Sequence, residues 1–192
     1  MPTDSNDEPG TYAIPRAGLP WLVCVPAGTG TDLSPQLAQL ILDVHTAVGD
    51  VVVDIDDDSA FAAAAAETGR RHHALGGATG LNAFGHAAGY IDLLLMHWPQ
   101  PNADPRWLLL TCRTLRRNEG CLVVAVKAVN QRRVAALSAL TGAAHTAGLN
   151  LVDHIAVIDL SADNFLTQPG TAAERTPRVD ADLLVFVAAT PS

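Results

Sequence analysis

Cysteine, aromatic residues and long apolar runs are all scarce in this chain, and each shortage closes off a class of explanation. The three cysteines of the 192 residues, Cys24, Cys112 and Cys121, are odd in number and show no CxxC or CxxH spacing. Neither a disulfide framework nor a structural zinc site is indicated, and buried free thiols are expected. Aromatics supply 5% of the residues against 48% apolar overall, mostly Ala, Leu and Val, which favours helices stacked on an aliphatic sheet over an aromatic-rich binding module. The longest mainly apolar runs, Ile91 to Met96 and Cys121 to Val126, fall far short of the ~20 residues that span a bilayer. The N-terminal MPTDSNDEPG lacks the charged start and apolar stretch of a secretory signal, so a cytoplasmic protein without a membrane partner is expected.

The net charge of −8 is unevenly spread. Residues 1–60 hold ten acids against Arg16 alone, a net −9, whereas residues 106–133 hold seven basic residues against Glu119, a net +6. Arg106, Arg113, Arg116, Arg117, Arg132 and Arg133 are therefore the candidates for touching the phosphates of a nucleic acid, unless they belong to solvated helix faces. A protein partner is the other candidate.

The length suits one domain. Residues 1–18, rich in Pro, Gly and acids, read as a disordered tail, leaving 19–192 as the domain. Trp21 to Val25 reads as a short strand. Ser34 and Pro35 make a helix start, and Leu37, Leu40, Ile41 and Val44 follow at i, i+3, i+4 and i+7. Val51 to Ile55 suits a central parallel strand covered on both faces. The acidic loop DIDDDS leads into an alanine-rich helix, Phe61 to Thr68, closed by Gly69. Further strands are expected at Tyr90 to Met96, Cys121 to Ala128, His154 to Asp159 and Leu183 to Ala188. Helices are expected at about Pro105 to Leu115 and at 131–147, the latter with Val134, Leu137, Leu140 and Ala144 inward. Asn118 to Gly120 reads as a turn, and Ser161 to Arg178 as a polar loop. Strands alternating with helices indicate a doubly wound α/β sheet, whose ligands sit at the carboxyl ends of central strands.

The order of these elements resembles the S-adenosylmethionine-dependent amino DNA methylases, which modify N4 of cytosine or N6 of adenine. SPQLAQLILDVHTAVGDVVVDIDDDSAFAAAAAETGRRHHAL is similar to that family's opening helix, first strand with P-G-D-x-V-L-D-P-F-x-G-S-G, and following helix ending G-R-R. Asp92 to Pro99 stands where a strand runs into D-P-P-Y or S-P-P-Y. LRRNEGCLVVAV resembles L-R-P-G-G-x-V-V-V, and AGLNLVDHIAVIDL with DADLLVFV resembles the closing strand pair. The resemblance covers about residues 19–188. It implies a class I methyltransferase (Rossmann-like) sheet, mostly parallel with an antiparallel C-terminal strand, and S-adenosylmethionine as the cofactor, if any is bound. Asp54, Asp56 and Ser59 become the cofactor candidates, and His97, Trp98 and Pro99 the catalytic ones.

The departures fall where the chemistry would be. Glycines after the family's first strand let the backbone approach the cofactor, but Asp58 and Ala60 stand in their places. Gly76 stands near where an acid usually holds the ribose. Fourteen residues separate Leu75 from Tyr90, too few for the usual helix and third strand. In the fourth motif only Pro99 agrees; Trp98 is placed to stack on a flipped base or to fill a gap at the strand end, and His97 to serve as a base near neutral pH. Three readings stay open: a degenerate, non-catalytic domain (a pseudoenzyme) that acts by binding; an active DNA or RNA methyltransferase with unusual loops; and a Mg²⁺-dependent phosphatase of the haloacid-dehalogenase type. The last would use Asp54 as nucleophile, Asp56 as acid, and Lys127, Asp159 and Asp163 from later strand ends. Otherwise four acids in one loop make a solvated turn.

Overall fold

Three of the four helices begin where a side chain can accept the free amides of a first turn. In the computed structural model, which describes residues 21–25, 33–85, 88–127, 133–159 and 179–189, Ser34 accepts from the Leu37 amide at 3.3 Å and opens α1 (Pro35–His45). Asp58 accepts from Phe61 at 2.9 Å to open α2 (Ser59–Glu67). Asp104 accepts from Trp107 at 2.7 Å to open α3 (Pro105–Leu115). Such a cap contributes about 1 kcal/mol, and proline at the first position of α1 and α3 loses no hydrogen bond there. The fourth helix, α4, spans Arg133–Thr146.

The strands are β1 (Trp21–Val25), β2 (Val51–Asp54), β3 (Arg71–Ala74), β4 (Ile91–Trp98), β5 (Arg116–Lys127), β6 (Leu149–Asp159) and β7 (Val179–Ala188). They form one sheet in the order β1-β6-β7-β5-β4-β2-β3. Only β7 runs antiparallel to its neighbours, β5 and β6; the β1–β6, β2–β3, β2–β4 and β4–β5 pairs are parallel. This is the mostly parallel, doubly wound sheet expected from the sequence, with its antiparallel last strand. Between β3 and β4 the described residues hold only a 3-10 helix, Ala78–Phe84, so the sheet ends at β3. β1 closes the opposite edge, a placement that its five residues did not announce.

Alternation along the strands divides the core in two. Val51, Val53, Leu94, Met96, Leu122, Val124, Leu184 and Phe186 meet α3 and α4 on one face. Val52, Leu93, Leu95, Val123, Ala125, Leu183 and Val185 meet α1 and α2 on the other. Cys112 and Cys121 are buried free thiols, and Cys24 is half-buried.

Several details differ from the expected ones. α1 packs against α2 and turns Leu37, Ala38, Ile41 and Leu42 inward, leaving Val44 of the expected stripe 64% exposed. Val134 is exposed at the start of α4, where only Leu140 and Ala144 are fully covered. β4 continues through His97 and Trp98. Asn118 to Gly120 is not a turn: β5 leaves α3 directly at Arg116, and its register slips between the pairs Ile91↔Arg116 and Leu93↔Cys121. The extra residues bulge out, and Gly120 closes the bulge against β4, where a Cβ would lie 2.5 Å from the Asp92 carbonyl oxygen and 2.9 Å from that of Ile91. The acidic tail and the 161–178 loop lie outside the described residues.

Gly120→Ala should therefore lower stability by about 2 kcal/mol, since the obstructing atoms are backbone. Gly142→Ala, within α4 and with nothing within 4 Å of the added carbon, should raise it by about 0.5–1 kcal/mol. Urea unfolding of the two variants checks the opposite signs.

Candidate functional site

From β2 the chain passes to β3 on one side while β4 lies on the other, so the sheet's switch point is the gap beyond the carboxyl ends of β2 and β4, where open α/β sheets bind ligands. The acidic loop and the HWPQ segment meet there. The sequence-based reading thus places the right segments together, but the loop is not a solvated turn. Asp54 and Asp58 are buried, and only Asp57, in the left-handed region at φ 64°, is exposed.

Each buried or half-buried acid ties down a different piece of chain. Asp54 folds the loop on itself: one carboxylate oxygen accepts from the Asp56 amide at 2.9 Å, the other from the Asp58 amide. Asp58 caps α2 and, with its second oxygen, accepts from the Leu33 amide just before α1 at 2.6 Å. Asp56 reaches across to β4. Its Oδ2 accepts from the His97 amide at 2.6 Å and lies 3.2 Å from His97 Nδ1, while its Oδ1 accepts from Gln100 Nε2 at 2.5 Å. Gln100 is buried and also donates to the His97 carbonyl at 3.0 Å.

These contacts separate the titration of neighbouring groups. Burial pushes Asp54 up to about 6, against the two amide hydrogen bonds and with help from the charges of Asp58 and Asp56. Burial also works against the charge of Asp56, but its hydrogen bonds with His97 and Gln100 outweigh it and hold the pKa below the ordinary value. For His97, desolvation is overcome by the hydrogen bond to Asp56 and by the charges of Asp56, Asp58 and Asp54, so its pKa lies above the usual 6.5.

The other nominated residues are scattered in role. Ser59 is exposed at the first position of α2, and Pro99 is exposed beyond β4. Trp98 is half-buried and packs against the cluster under α3 and α4. β3 ends at Ala74 and is followed by Leu75 and Gly76, with no acid at that strand end. Among the described residues no group of His, Cys, Asp or Glu is placed to hold a metal.

The basic band is not one face. Arg116 is buried and donates to the carbonyls of Asn118, at 3.2 Å, and Gly120. Arg117 pairs with Asp92 at 2.6 Å, Arg113 reaches the Ala147 carbonyl, and Arg133 makes two 2.5 Å bonds to the buried Asp182. Arg106 is exposed, and Arg132 lies outside the described residues. Sequence reasoning missed Gln100 and Asp182. Asp182, one of the two acids of β7 and the buried one, also holds His154 Nε2 at 2.7 Å; an acid directly beside the apolar run of β7 was the available signal.

No protein-family model matches the sequence, and no curated protein matches it. Solved structures do. A structure holding the Haloferax volcanii Trm112 methyltransferase activator in complex is similar over 81% of this chain and 95% of the matched one, at 17% identity and a TM-score of 0.54. Geranyl diphosphate C-methyltransferase from Streptomyces coelicolor A3(2), with Mg²⁺, geranyl diphosphate and S-adenosyl-L-homocysteine, matches over 82% of this chain and 81% of its own, at 12% identity and 0.54. A Burkholderia thailandensis 1,6-didemethyltoxoflavin-N1-methyltransferase matches over 83% and 80%, at 14% identity and 0.50. The fold is that of the class I methyltransferases. Within that methyltransferase fold, the acidic loop occupies the turn after the first central strand.

A titration of stability isolates the buried acid. Because the folded chain raises the pKa of Asp54 above its unfolded value, the stability it confers is complete below about pH 4 and is lost as pH rises through 6. The difference in unfolding free energy between the natural chain and Asp54→Asn should fall by about 3 kcal/mol between roughly pH 4 and pH 7. Urea midpoints measured across that range test it; a flat difference contradicts the burial.

Proposed function

We propose that this methyltransferase-fold domain does without S-adenosylmethionine and acts through binding, with a protein as its partner. One observation carries the reading: three of the four acids of the loop after β2, Asp54, Asp56 and Asp58, are consumed by the fold itself, and Asp57 is left exposed. Asp54 takes the Asp56 and Asp58 amides, Asp58 fastens α2 and Leu33, and Asp56 fastens β4. A cofactor with a carboxylate and a ribose would need bare backbone and free amides at that turn and an acid for the diol at the next strand end. The turn instead presents side chains and negative charge, and β3 ends without an acid. The residues at this turn do not fit S-adenosylmethionine, which leaves His97, Trp98 and Pro99 without a methyl donor to act on.

The partner class follows from two considerations. One of the similar structures is itself a complex with a methyltransferase activator. A nucleic acid is less well served, since Arg113, Arg116, Arg117 and Arg133 already bond within the chain, and phosphate binding relies on cations free to release counterions. The tie to N4/N6 amino DNA methylases in particular rests on the order of elements in the sequence.

The active-methyltransferase reading draws its support from neighbours such as the Streptomyces enzyme, whose structure contains S-adenosyl-L-homocysteine. The phosphatase reading has less: a nucleophilic aspartate must meet its substrate, and Asp54 is fully buried.

Isothermal titration with S-adenosylmethionine and S-adenosylhomocysteine decides between the first two. No saturable heat is expected up to roughly 1 mM ligand. A micromolar Kd would overturn the cofactor-free reading, and methyl incorporation into DNA or RNA abolished by His97→Ala would support the active one.

A further inference from the structure

Three hydrogen-bond donors converge on the Asp56 carboxylate: the His97 amide at 2.6 Å, His97 Nδ1 at 3.2 Å and Gln100 Nε2 at 2.5 Å. Gln100 Nε2 binds the His97 carbonyl as well, so β4's last turn of chain is clasped from both sides. The other nitrogen of the same ring, His97 Nε2, is buried with no hydrogen-bond partner. Among the described residues, Asp56 is the hydrogen-bond partner that orients this imidazole.

We propose that Asp56 and His97 form a proton-controlled latch between the loop after β2 and the end of β4, shut while the imidazole carries its proton and loosened when the proton leaves. The acids of the loop favour the shut state. Within the loop, Asp54 and Asp58 add negative charge around His97, beyond Asp56 itself. From β3, His72 faces Asp57 and Asp58 rather than His97. β5 pairs with His97 at Ala125, an uncharged residue, and carries its one nearby cation at its end, Lys127. The first turns of α1 and α2 bring no further acid. Protonated His97 consequently sits against a net negative loop, and the neutral ring keeps the Nδ1 hydrogen bond but loses the ionic part of the attraction. Loosening the latch weakens the hold of Asp56 on the end of β4 without breaking its bonds from the His97 amide and Gln100, while Asp54 and Asp58 keep the rest of the loop anchored. The device is independent of whether the cleft takes a nucleoside, because it involves only the chain's own groups.

Linkage fixes the size of the effect: each pH unit by which the shut loop raises the His97 midpoint weakens closure tenfold when the proton is lost. The experiment follows the His97 ring by NMR titration of the full chain, and in parallel measures hydrogen-exchange protection of the His97, Trp98 and Gln100 amides, corrected for intrinsic exchange. The expected result is a His97 midpoint above 6.5, with protection at those amides falling across the same titration by the linked factor while Val123 in the core stays unchanged. Asp56→Asn should return the midpoint to 6.5 or below, and His97→Gln should remove the pH dependence of protection from a chain that still unfolds cooperatively. A midpoint at or below 6.5 in the natural chain, a midpoint unmoved in Asp56→Asn, or protection that ignores the titration would overturn the latch. Because no cofactor enters these measurements, they succeed or fail separately from the calorimetry above.

Discussion

A carboxylate buried at the end of a parallel strand and bonded to two amides of its own loop is the constraint on which the rest depends. Without the Asp54 contacts, the chain after β2 would have no reason to bring Asp56 toward β4 and Asp58 toward α2 in a single short turn. Burying the charge is costly, and hydrogen bonds from backbone amides make it tolerable. The raised pKa of Asp54 records that residual cost, while the lowered one of Asp56 records a neighbour that is better matched. Two acids two residues apart thus differ because one is walled in and the other has a histidine and a glutamine.

The same economy governs the positive residues. Read along the chain, the arginines between 106 and 133 form a basic band, but folding sends their side chains to unrelated acceptors. Arg116 turns into the bulge between β4 and β5, Arg117 meets the acid that also receives the Val51 amide, and Arg133 reaches a buried aspartate on β7. Asp182 is fully buried, so it is stable there only with such partners, and its pKa is held below the ordinary value: burial opposes this, but the bonds from Arg133 and His154 win. Arg116, Arg117 and Arg133, which look available for an external polyanion, are bonded within the chain, the first two within the sheet and the third between α4 and β7.

Much of the fold was legible because periodicity and caps are local properties. The continuous apolar runs of β2, β4 and β5, the cap at Ser34 and the missing third strand, visible as too few residues after Leu75, all followed from short stretches of sequence. The helix faces were less so. Val44 and Val134 satisfy a helical stripe but end up exposed, since a stripe gives the apolar side of a helix and not how far the sheet extends beneath it. The turn assigned to Asn118–Gly120 misled for a related reason: Asn and Gly favour turns, and pairing with β4 turned the same residues into a bulge.

Sequence by itself determined a doubly wound sheet of strands alternating with helices, because hydrophobic periodicity and chain connectivity leave few other arrangements, and the resemblance in element order drew attention to the loops after β2 and β4. Tertiary structure alone decided what those segments do with their polar groups. An aspartate's spacing along the chain cannot say whether its oxygens face water, a ligand or a neighbour's amide; that depends on burial and on donors from distant residues, here 41 positions away for the Asp56–His97 contact.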